Sequence, residues 1–110
     1  MTEAGKNGTL IRMKAELLIR RRIVLFPDAF AEIVVWRLPN PLPPCGHRFK
    51  YRVAYIVDGK CVIRFDNERG KGDHRHVRDL ETPYDFSQPG RLLSDFNAEV
   101  ERWNRENGRS

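Results

Sequence analysis

The sequence predicts an α+β domain in which an antiparallel β-sheet of about four strands, in meander order, is covered on one face by a C-terminal α-helix. Three observations predict it. Apolar and polar residues alternate with a period of two along much of residues 13–66, which is typical of half-buried strands. Asp58-Gly59 is a strong signal for a tight hairpin between two such runs. An apolar stripe with helical spacing begins only after Pro89.

The first two strands are predicted over residues 13–25 and 30–38, as an antiparallel hairpin. Phe26-Pro27-Asp28-Ala29 supplies the turn between them. In the first run the apolar face is broken only by Arg21, and it consists of Met13, Ala15, Leu17, Ile19, Ile23 and Leu25. The period of two over this length favours a strand over a helix.

Prolines between residues 39 and 44 end the second strand, because proline cannot donate to a β-ladder. A third strand is predicted over residues 47–57 and a fourth over 60–66, with Cys61 pointing into the core. The sheet face that the helix leaves exposed should then be uniformly cationic. It would carry Arg20, Arg22, Arg48, Lys50, Arg52 and Arg64. Like charges on neighbouring strands repel one another, so this face predicts an anionic partner.

The C-terminal helix is predicted over residues 89–104. Pro89 suits the first helical turn, and Gly108 is a plausible stop. The apolar stripe has the i, i+4, i+8, i+11 spacing of a helix that covers a core, and it consists of Leu92, Leu93, Phe96, Val100 and Trp103. Residues 13–106 therefore form one predicted domain behind a flexible N-terminal tail, residues 1–12.

Composition narrows the function classes. Lys and Arg interrupt every apolar run before it reaches the roughly 18–20 residues of a membrane span, and no secretory h-region is present. Residues 1–78 hold 16 Lys+Arg against 8 Asp+Glu, whereas residues 79–110 hold 4 against 7. A basic body favours nucleic acid as partner, although a solvated charge-rich surface gives the same balance. Cys45 and Cys61 lack partners at zinc-ligand spacing and predict reduced thiols in a cytoplasmic protein.

Candidate chemistry concentrates in the segment after the fourth strand, which we expect to be a loop. Two of the three histidines, His74 and His76, lie two residues apart behind Gly70-Lys71-Gly72. In an extended segment they share a face and could meet one phosphate. Imidazole changes charge near neutral pH, so the pair could act as base and acid when an RNA 2′-hydroxyl attacks the phosphate. Lys71 and Arg75 could stabilise the charge that develops on the phosphate.

This pattern leaves alternatives open. The histidines could be surface residues without a role, or metal ligands completed by Asp66 or Asp73, although the charges of Lys71 and Arg75 oppose a metal ion. Asp66 could orient a histidine or Lys71, or it could belong to a turn with Asn67 that bonds the local backbone. We predict catalytic roles for His74, His76, Lys71 and Asp66 with no metal and no cofactor.

Several stretches of the chain resemble the TumE toxin family of prokaryotic type II toxin–antitoxin systems. They are residues 14–20, 32–39, 47–55, 64–76 and 83–86, together with the tryptophan-bearing final helix. The most specific stretch is Asp66-Asn67 followed by Lys71-Gly72-Asp73-His74-Arg75-His76. The resemblance covers roughly residues 13–104.

The resemblance implies a toxin that is encoded beside a cognate antitoxin, and this antitoxin could itself bind DNA. From the residues we predict a metal-independent ribonuclease that holds RNA on the cationic face. A non-catalytic growth inhibitor that binds RNA or protein, and a nucleotide-dependent RNA-modifying toxin, are the alternatives. We expect an acidic surface of the antitoxin to cover part of the cationic set, namely Arg20, Arg22, Lys50, Arg52, Arg64, Lys71 and Arg75.

Overall fold

The computed structural model describes residues 14–109, so the predicted tail, residues 1–12, lies outside the described residues, as do Met13 and Ser110. The elements are β1 (Glu16–Phe26), β2 (Ala29–Arg37), β3 (Phe49–Val57), β4 (Lys60–Glu68), β5 (Gly72–Val77), β6 (Leu80–Pro83) and α1 (Pro89–Glu106). The predicted α+β class is confirmed, with six strands in place of about four and a helix two residues longer than predicted at its C-terminal end.

The strands form one antiparallel sheet in the order β1-β2-β3-β4-β5-β6, so each strand pairs with its neighbours in sequence. Short turns make this meander possible. Asp58 and Gly59 have the positive φ angles that a two-residue hairpin turn requires, and so do Arg78 and Asp79 between β5 and β6. The histidine segment is therefore not a loop, as we had expected, but strand β5.

The core lies between the sheet and α1. The helix packs on β3 and β4, in the middle of the sheet. The helix contributes Leu92, Phe96 and Val100 to the core. These side chains pack with buried Tyr55 of β3 and Phe65 of β4. At the end of the helix, Arg109 donates two hydrogen bonds, of 2.7 and 2.8 Å, to the carboxylate of Asp28 in the β1–β2 turn.

Three register shifts interrupt the sheet, one of them between Val24 and Phe26, and the other two move side chains that we had placed on the apolar face. The β1–β2 register shifts between Leu17 and Ile19, so Leu17 pairs with Trp36 on the sheet face away from the helix. The β3–β4 register shifts in the same way, so Cys61 pairs with Ile56 instead of following Ile63 into the core. The predictions that Leu17 shares a face with Ile19 and that Cys61 points into the core are therefore wrong, because a period of two does not continue through a bulge.

The proline-rich segment between β2 and β3 covers the β4–β5 turn. The Gly70 amide donates a 2.9 Å hydrogen bond to the Pro43 carbonyl. Gly72 has a φ of +79°, and a Cβ there would lie 3.3 Å from a ring carbon of Pro44. The Gly70 amide thus bonds the turn to the proline-rich segment, and the missing side chain of Gly72 leaves room for Pro44. Within residues 14–109, no helix is long and apolar enough to cross a membrane.

Candidate functional site

The sheet surface opposite α1, which we call the outer face, carries most of the predicted cationic residues. Directly paired residues lie on the same face of a sheet. Arg20 pairs with Val34, which pairs with Arg52, and the row continues to Asp66 and His74. The outer face therefore carries Arg20, Arg22, Lys50, Arg52, Arg64, Asp66, His74 and His76.

Carboxylates are interleaved with these cations, so the outer face is not uniformly cationic as we had expected. Arg52 Nη1 lies 3.9 Å from Glu32 Oε1, and Arg64 Nε lies 3.2 Å from Asp66 Oδ2. Each pair relieves part of the repulsion between neighbouring strands. Lys50 reaches the backbone instead and donates a 2.8 Å hydrogen bond to the Asn67 carbonyl.

His74 is the centre of the site. It is only 6 % exposed, and its Nε2 lies 2.7 Å from Asp66 Oδ1 on β4 and 3.2 Å from Glu81 Oε2 on β6. Its Nδ1 lies 3.2 Å from the Gly72 carbonyl oxygen. A carbonyl oxygen only accepts hydrogen bonds, so Nδ1 is the donor in the contact with Gly72. His74 is thus fixed between two strands.

The contacts of His74 Nε2 are close but not linear. Within residues 14–109, His74 Nε2, Asp66 Oδ1 and Arg64 Nε are buried without a partner in hydrogen-bond geometry. The N–H of Nε2 therefore points at neither carboxylate oxygen along a straight line. A buried polar group in this state is costly for the fold unless a water, an ion or a ligand completes its hydrogen bonds.

The remaining two predicted catalytic residues lie beside His74 on the same face. His76 is partly exposed, and its strand neighbours are Arg64 on β4 and Glu81 on β6. Lys71 leaves the β4–β5 turn, and its Nζ lies 3.9 Å from Glu81 Oε2. The structure therefore brings the four predicted catalytic residues together, with His76 the more accessible of the two imidazoles.

Arg75 and Arg48 lie apart from this group. Arg75 pairs with Phe65 and Thr82, so it lies on the helix side, where its Nη1 is 3.6 Å from Glu99 Oε2. Its predicted place beside the histidines is wrong, because β5 is extended and alternate side chains point to opposite faces. Arg48 precedes β3 and contacts the Pro39 carbonyl oxygen at 3.4 Å.

Comparison with known proteins identifies the chain's family. A family model described as toxin TumE matches residues 5–104. The chain belongs to the TumE toxin family. The match begins at residue 5, so part of the predicted tail belongs to the family region, which we had placed at roughly residues 13–104. Searches among curated proteins and among solved structures give no match. Membership of the TumE family implies a toxin of a toxin–antitoxin system with a cognate antitoxin partner.

Glu81 is a site residue of this TumE-family chain that sequence reasoning missed. It lies on β6, which we did not predict because its turn is formed by Arg78 and Asp79. Both residues adopt positive φ angles that Asn-Gly or Asp-Gly normally marks in a sequence. The one available signal was the short alternation of Leu80, Glu81 and Thr82 after this turn.

A second polar cluster lies beneath the proline-rich segment, on the helix side. Asp73 Oδ1 accepts a 2.7 Å hydrogen bond from the Tyr51 hydroxyl and lies 2.8 Å from His47 Nε2. His47 Nδ1 accepts a 3.1 Å hydrogen bond from the Phe49 amide. Nearby, burial raises the pKa of the Cys45 thiol above its ordinary value. This cluster holds the loop against the sheet and offers no thiolate nucleophile.

Buried Asn67 joins this cluster to β3. Its side-chain oxygen accepts a 3.0 Å hydrogen bond from the Tyr51 amide, and its side-chain nitrogen donates a 2.7 Å bond to the Phe49 carbonyl. The alternative that Asp66-Asn67 forms a turn is therefore wrong. β4 continues through both residues to Glu68, with Asp66 on the outer face and Asn67 bonded to β3.

Two groups in the described residues have side-chain atoms close enough to hold a metal ion. One is Cys45, His47 and Asp73, and the other is Asp66, Glu68 and His74. In the first, both nitrogens of His47 are already engaged. In the second, the Arg64 guanidinium 3.2 Å from Asp66 opposes a second cation. Whether Asp66, Glu68 and His74 on the outer face bind a metal ion is tested by removing divalent ions.

Proposed function

We propose that this TumE-family toxin is a ribonuclease that acts in the cytoplasm without a metal ion and holds RNA across the outer face. The main observation that supports this proposal is the position of the His74–Asp66–Glu81 cluster. It lies on the same sheet face as Arg20, Arg22 and Arg52. A polyanion bound to these arginines would pass its phosphates over the histidines. An arginine guanidinium can donate two parallel hydrogen bonds to the oxygens of one phosphate. The arginines of this face therefore favour binding of a nucleic acid.

The two histidines have different roles in this proposal. His76 is the accessible imidazole, and it exchanges protons with the RNA. His74, buried between Asp66 and Glu81, positions these two carboxylates beside His76. Lys71 and Arg64 stabilise the extra negative charge of the pentavalent phosphate.

The proposed reaction is transesterification. The 2′-hydroxyl oxygen forms a bond to phosphorus while its proton passes to an imidazole acting as base. The bond from phosphorus to the 5′ oxygen breaks, and this oxygen takes a proton from an acid, either imidazolium or Lys71. The products are a 2′,3′-cyclic phosphate and a 5′-hydroxyl, and no metal or redox partner is consumed.

The experiment is incubation of the purified toxin with total RNA in excess EDTA, followed by analysis of the new RNA ends. We expect discrete fragments that carry 2′,3′-cyclic phosphate and 5′-hydroxyl ends. The matched control is Arg105→Ala, which removes an exposed arginine from α1, away from the outer face. It should cleave at the wild-type rate.

Other outcomes of this assay would contradict the proposal in distinct ways. Protected, intact RNA would favour the non-catalytic binder, for which the near-complete burial of His74 is the supporting observation. Cleavage that EDTA abolishes and a divalent ion restores would assign a metal to Asp66, Glu68 and His74. Toxicity in a reconstituted system that requires an added nucleoside triphosphate would favour an RNA-modifying toxin.

A further inference from the structure

One surface of the protein remains open on the helix side. Because α1 packs on β3 and β4, it leaves β1 partly uncovered there: Ile23 and Leu25 are 43 % and 40 % exposed, whereas Ala31 and Ile33 of β2 are buried. Between the helix and these strands lies an apolar groove of about 270 Å³, lined by Ile23, Leu25, Ile33, Leu93, Phe96 and Val100. Open apolar grooves of this kind are typical binding sites for extended or helical segments.

The strand that borders this groove is itself exposed. Within residues 14–109, β1 pairs with β2 alone, so its other side is a sheet edge 11 residues long. Four of its large apolar side chains are exposed, and Val24 reaches 69 %. They are Leu17, Ile23, Val24 and Leu25. A long, apolar free edge is a template for an added strand.

The charges on β1 indicate whether the added strand is a second copy of β1 or an acidic strand of another protein. Arg20, Arg21 and Arg22 are consecutive, with Arg20 and Arg22 on the outer face and Arg21 on the helix side. A second copy paired antiparallel about Arg21 would place Arg20 opposite Arg22 and Arg21 opposite itself, which is unfavourable. A register centred on Val24 avoids these contacts but pairs only residues 22–26. Self-pairing along the full length of β1 is therefore disfavoured, and a shorter register centred on Ile19, which sets Arg22 opposite Glu16, is an outcome that the first test below distinguishes.

An added strand that carries acidic side chains would instead be attracted to this edge. Carboxylates on either side of an added strand would meet Arg20 and Arg22 on the outer face and Arg21 beside the groove. Apolar side chains on the groove side would cover Ile23 and Leu25. The TumE family supplies a partner that must bind this toxin tightly, namely its cognate antitoxin.

We propose that an extended, acidic and apolar segment of the cognate antitoxin adds to the β1 edge and fills the groove between β1 and α1. Main-chain hydrogen bonds to β1 give this contact its affinity, and the arginine triplet gives it its selectivity. The segment would also reach Arg20 and Arg22 on the outer face. The proposal rests on the toxin role of the family and not on RNA cleavage, so the two can fail independently.

The first test is amide hydrogen exchange of the full-length toxin with and without its antitoxin. We expect the β1 amides that point away from β2 to exchange fast in the free toxin and to become protected in the complex, whereas the β1 amides bonded to β2 are protected in both. The opposite edge strand, β6, should change little. Protection of the outward-pointing β1 amides already present in the free toxin would overturn the proposal, because a second copy or residues 1–13 would then occupy the edge.

The second test uses two charge-introducing variants. Leu25→Asp places a carboxylate in the groove, and Leu80→Asp is the matched control, because Leu80 is an apolar residue on the other edge strand and is 64 % exposed. Leu25→Asp should weaken antitoxin binding by about 30-fold or more, the effect of losing one hot-spot side chain. Leu80→Asp should leave the affinity unchanged.

Equal affinities of the two variants, or equal losses in both, would contradict the proposal. Circular dichroism and thermal denaturation report separately whether Leu25→Asp remains folded. Should it fail to fold, the hydrogen-exchange result on the unmodified chain decides alone. No gain of protection at the outward-pointing β1 amides in a complex that forms normally would overturn the proposed docking mode.

Discussion

His74 on β5 lies directly opposite Asp66 on β4, with its Nε2 2.7 Å from Asp66 Oδ1. The pairing places an imidazole and a carboxylate in contact because the antiparallel β4–β5 register aligns residue 66 with residue 74. The same register places His76 opposite Arg64. The hairpin geometry of β4 and β5 therefore determines the chemistry that the outer face can perform.

The two histidines should respond differently to substitution. His76→Ala should abolish growth inhibition in expressing cells and change the free energy of unfolding by less than about 0.5 kcal/mol, as for other substitutions at accessible positions. His74→Ala should also abolish growth inhibition but lower the free energy of unfolding by about 1–3 kcal/mol, because it removes a buried imidazole and one of the two partners of the largely buried Asp66 carboxylate. Chemical denaturation and growth curves measure both effects. Two variants that stay fully toxic would show that neither imidazole is catalytic.

The two cysteines should differ in reactivity. Cys61 is exposed, and Cys45 is buried with the pKa of its thiol raised by burial. A thiol-alkylating reagent should modify one cysteine per native chain at neutral pH, and mass spectrometry of peptides should locate it at Cys61. A Cys61→Ser variant should remain unlabelled until it is unfolded. Rapid labelling of Cys45 in the native protein would contradict the buried cluster around it.

Stability should fall at alkaline pH because of Tyr51. Burial raises the pKa of Tyr51, and its hydrogen bond to Asp73 and the charge of that carboxylate raise it further. In the unfolded chain a tyrosine ionises near pH 10. The unfolded state therefore loses protons first, and the free energy of unfolding should decrease as the pH rises above about 10. Tyr51→Phe should reduce this slope, whereas an unchanged slope would contradict the assignment.

Association with the antitoxin should depend strongly on salt. The expected contacts include Arg20, Arg22 and Arg52 on the outer face. Their charges attract an acidic partner, and dissolved salt screens this attraction. The association rate constant should fall markedly between low and physiological ionic strength, with a smaller change in the dissociation rate. Stopped-flow or biosensor kinetics measure both. An association rate indifferent to salt, or a complex that leaves this face exposed, would contradict the expected contacts.

Much of the fold could be predicted because its strongest signals are local. Alternation along β1 to β4, the Asp58-Gly59 turn and the apolar stripe of α1 each act within one element. The rest depended on contacts between elements. β6 follows a turn formed by Arg78 and Asp79, which carries no common turn signature, so Glu81 could not be placed. The bulge in β4 exposes Cys61 and leaves no mark in the sequence.

The candidate site could be predicted in part for a similar reason. The spacing of His74 and His76 correctly indicated a shared face, because any extended segment gives it. Arg75 was placed with them because we expected a flexible loop, whereas strand β5 directs it to the helix side and to Glu99. The burial of His74 depends on β6, a strand that the sequence did not reveal.

The most direct test of the central claim, that the histidines of the outer face cleave RNA, is the cleavage rate of His76→Ala in excess EDTA. It should be measured beside the wild-type protein and Arg105→Ala at equal concentrations of folded protein. We expect a loss of about 100-fold or more in His76→Ala, the usual contribution of a general acid or base, and no loss in Arg105→Ala. Equal cleavage rates for all three proteins would contradict the account.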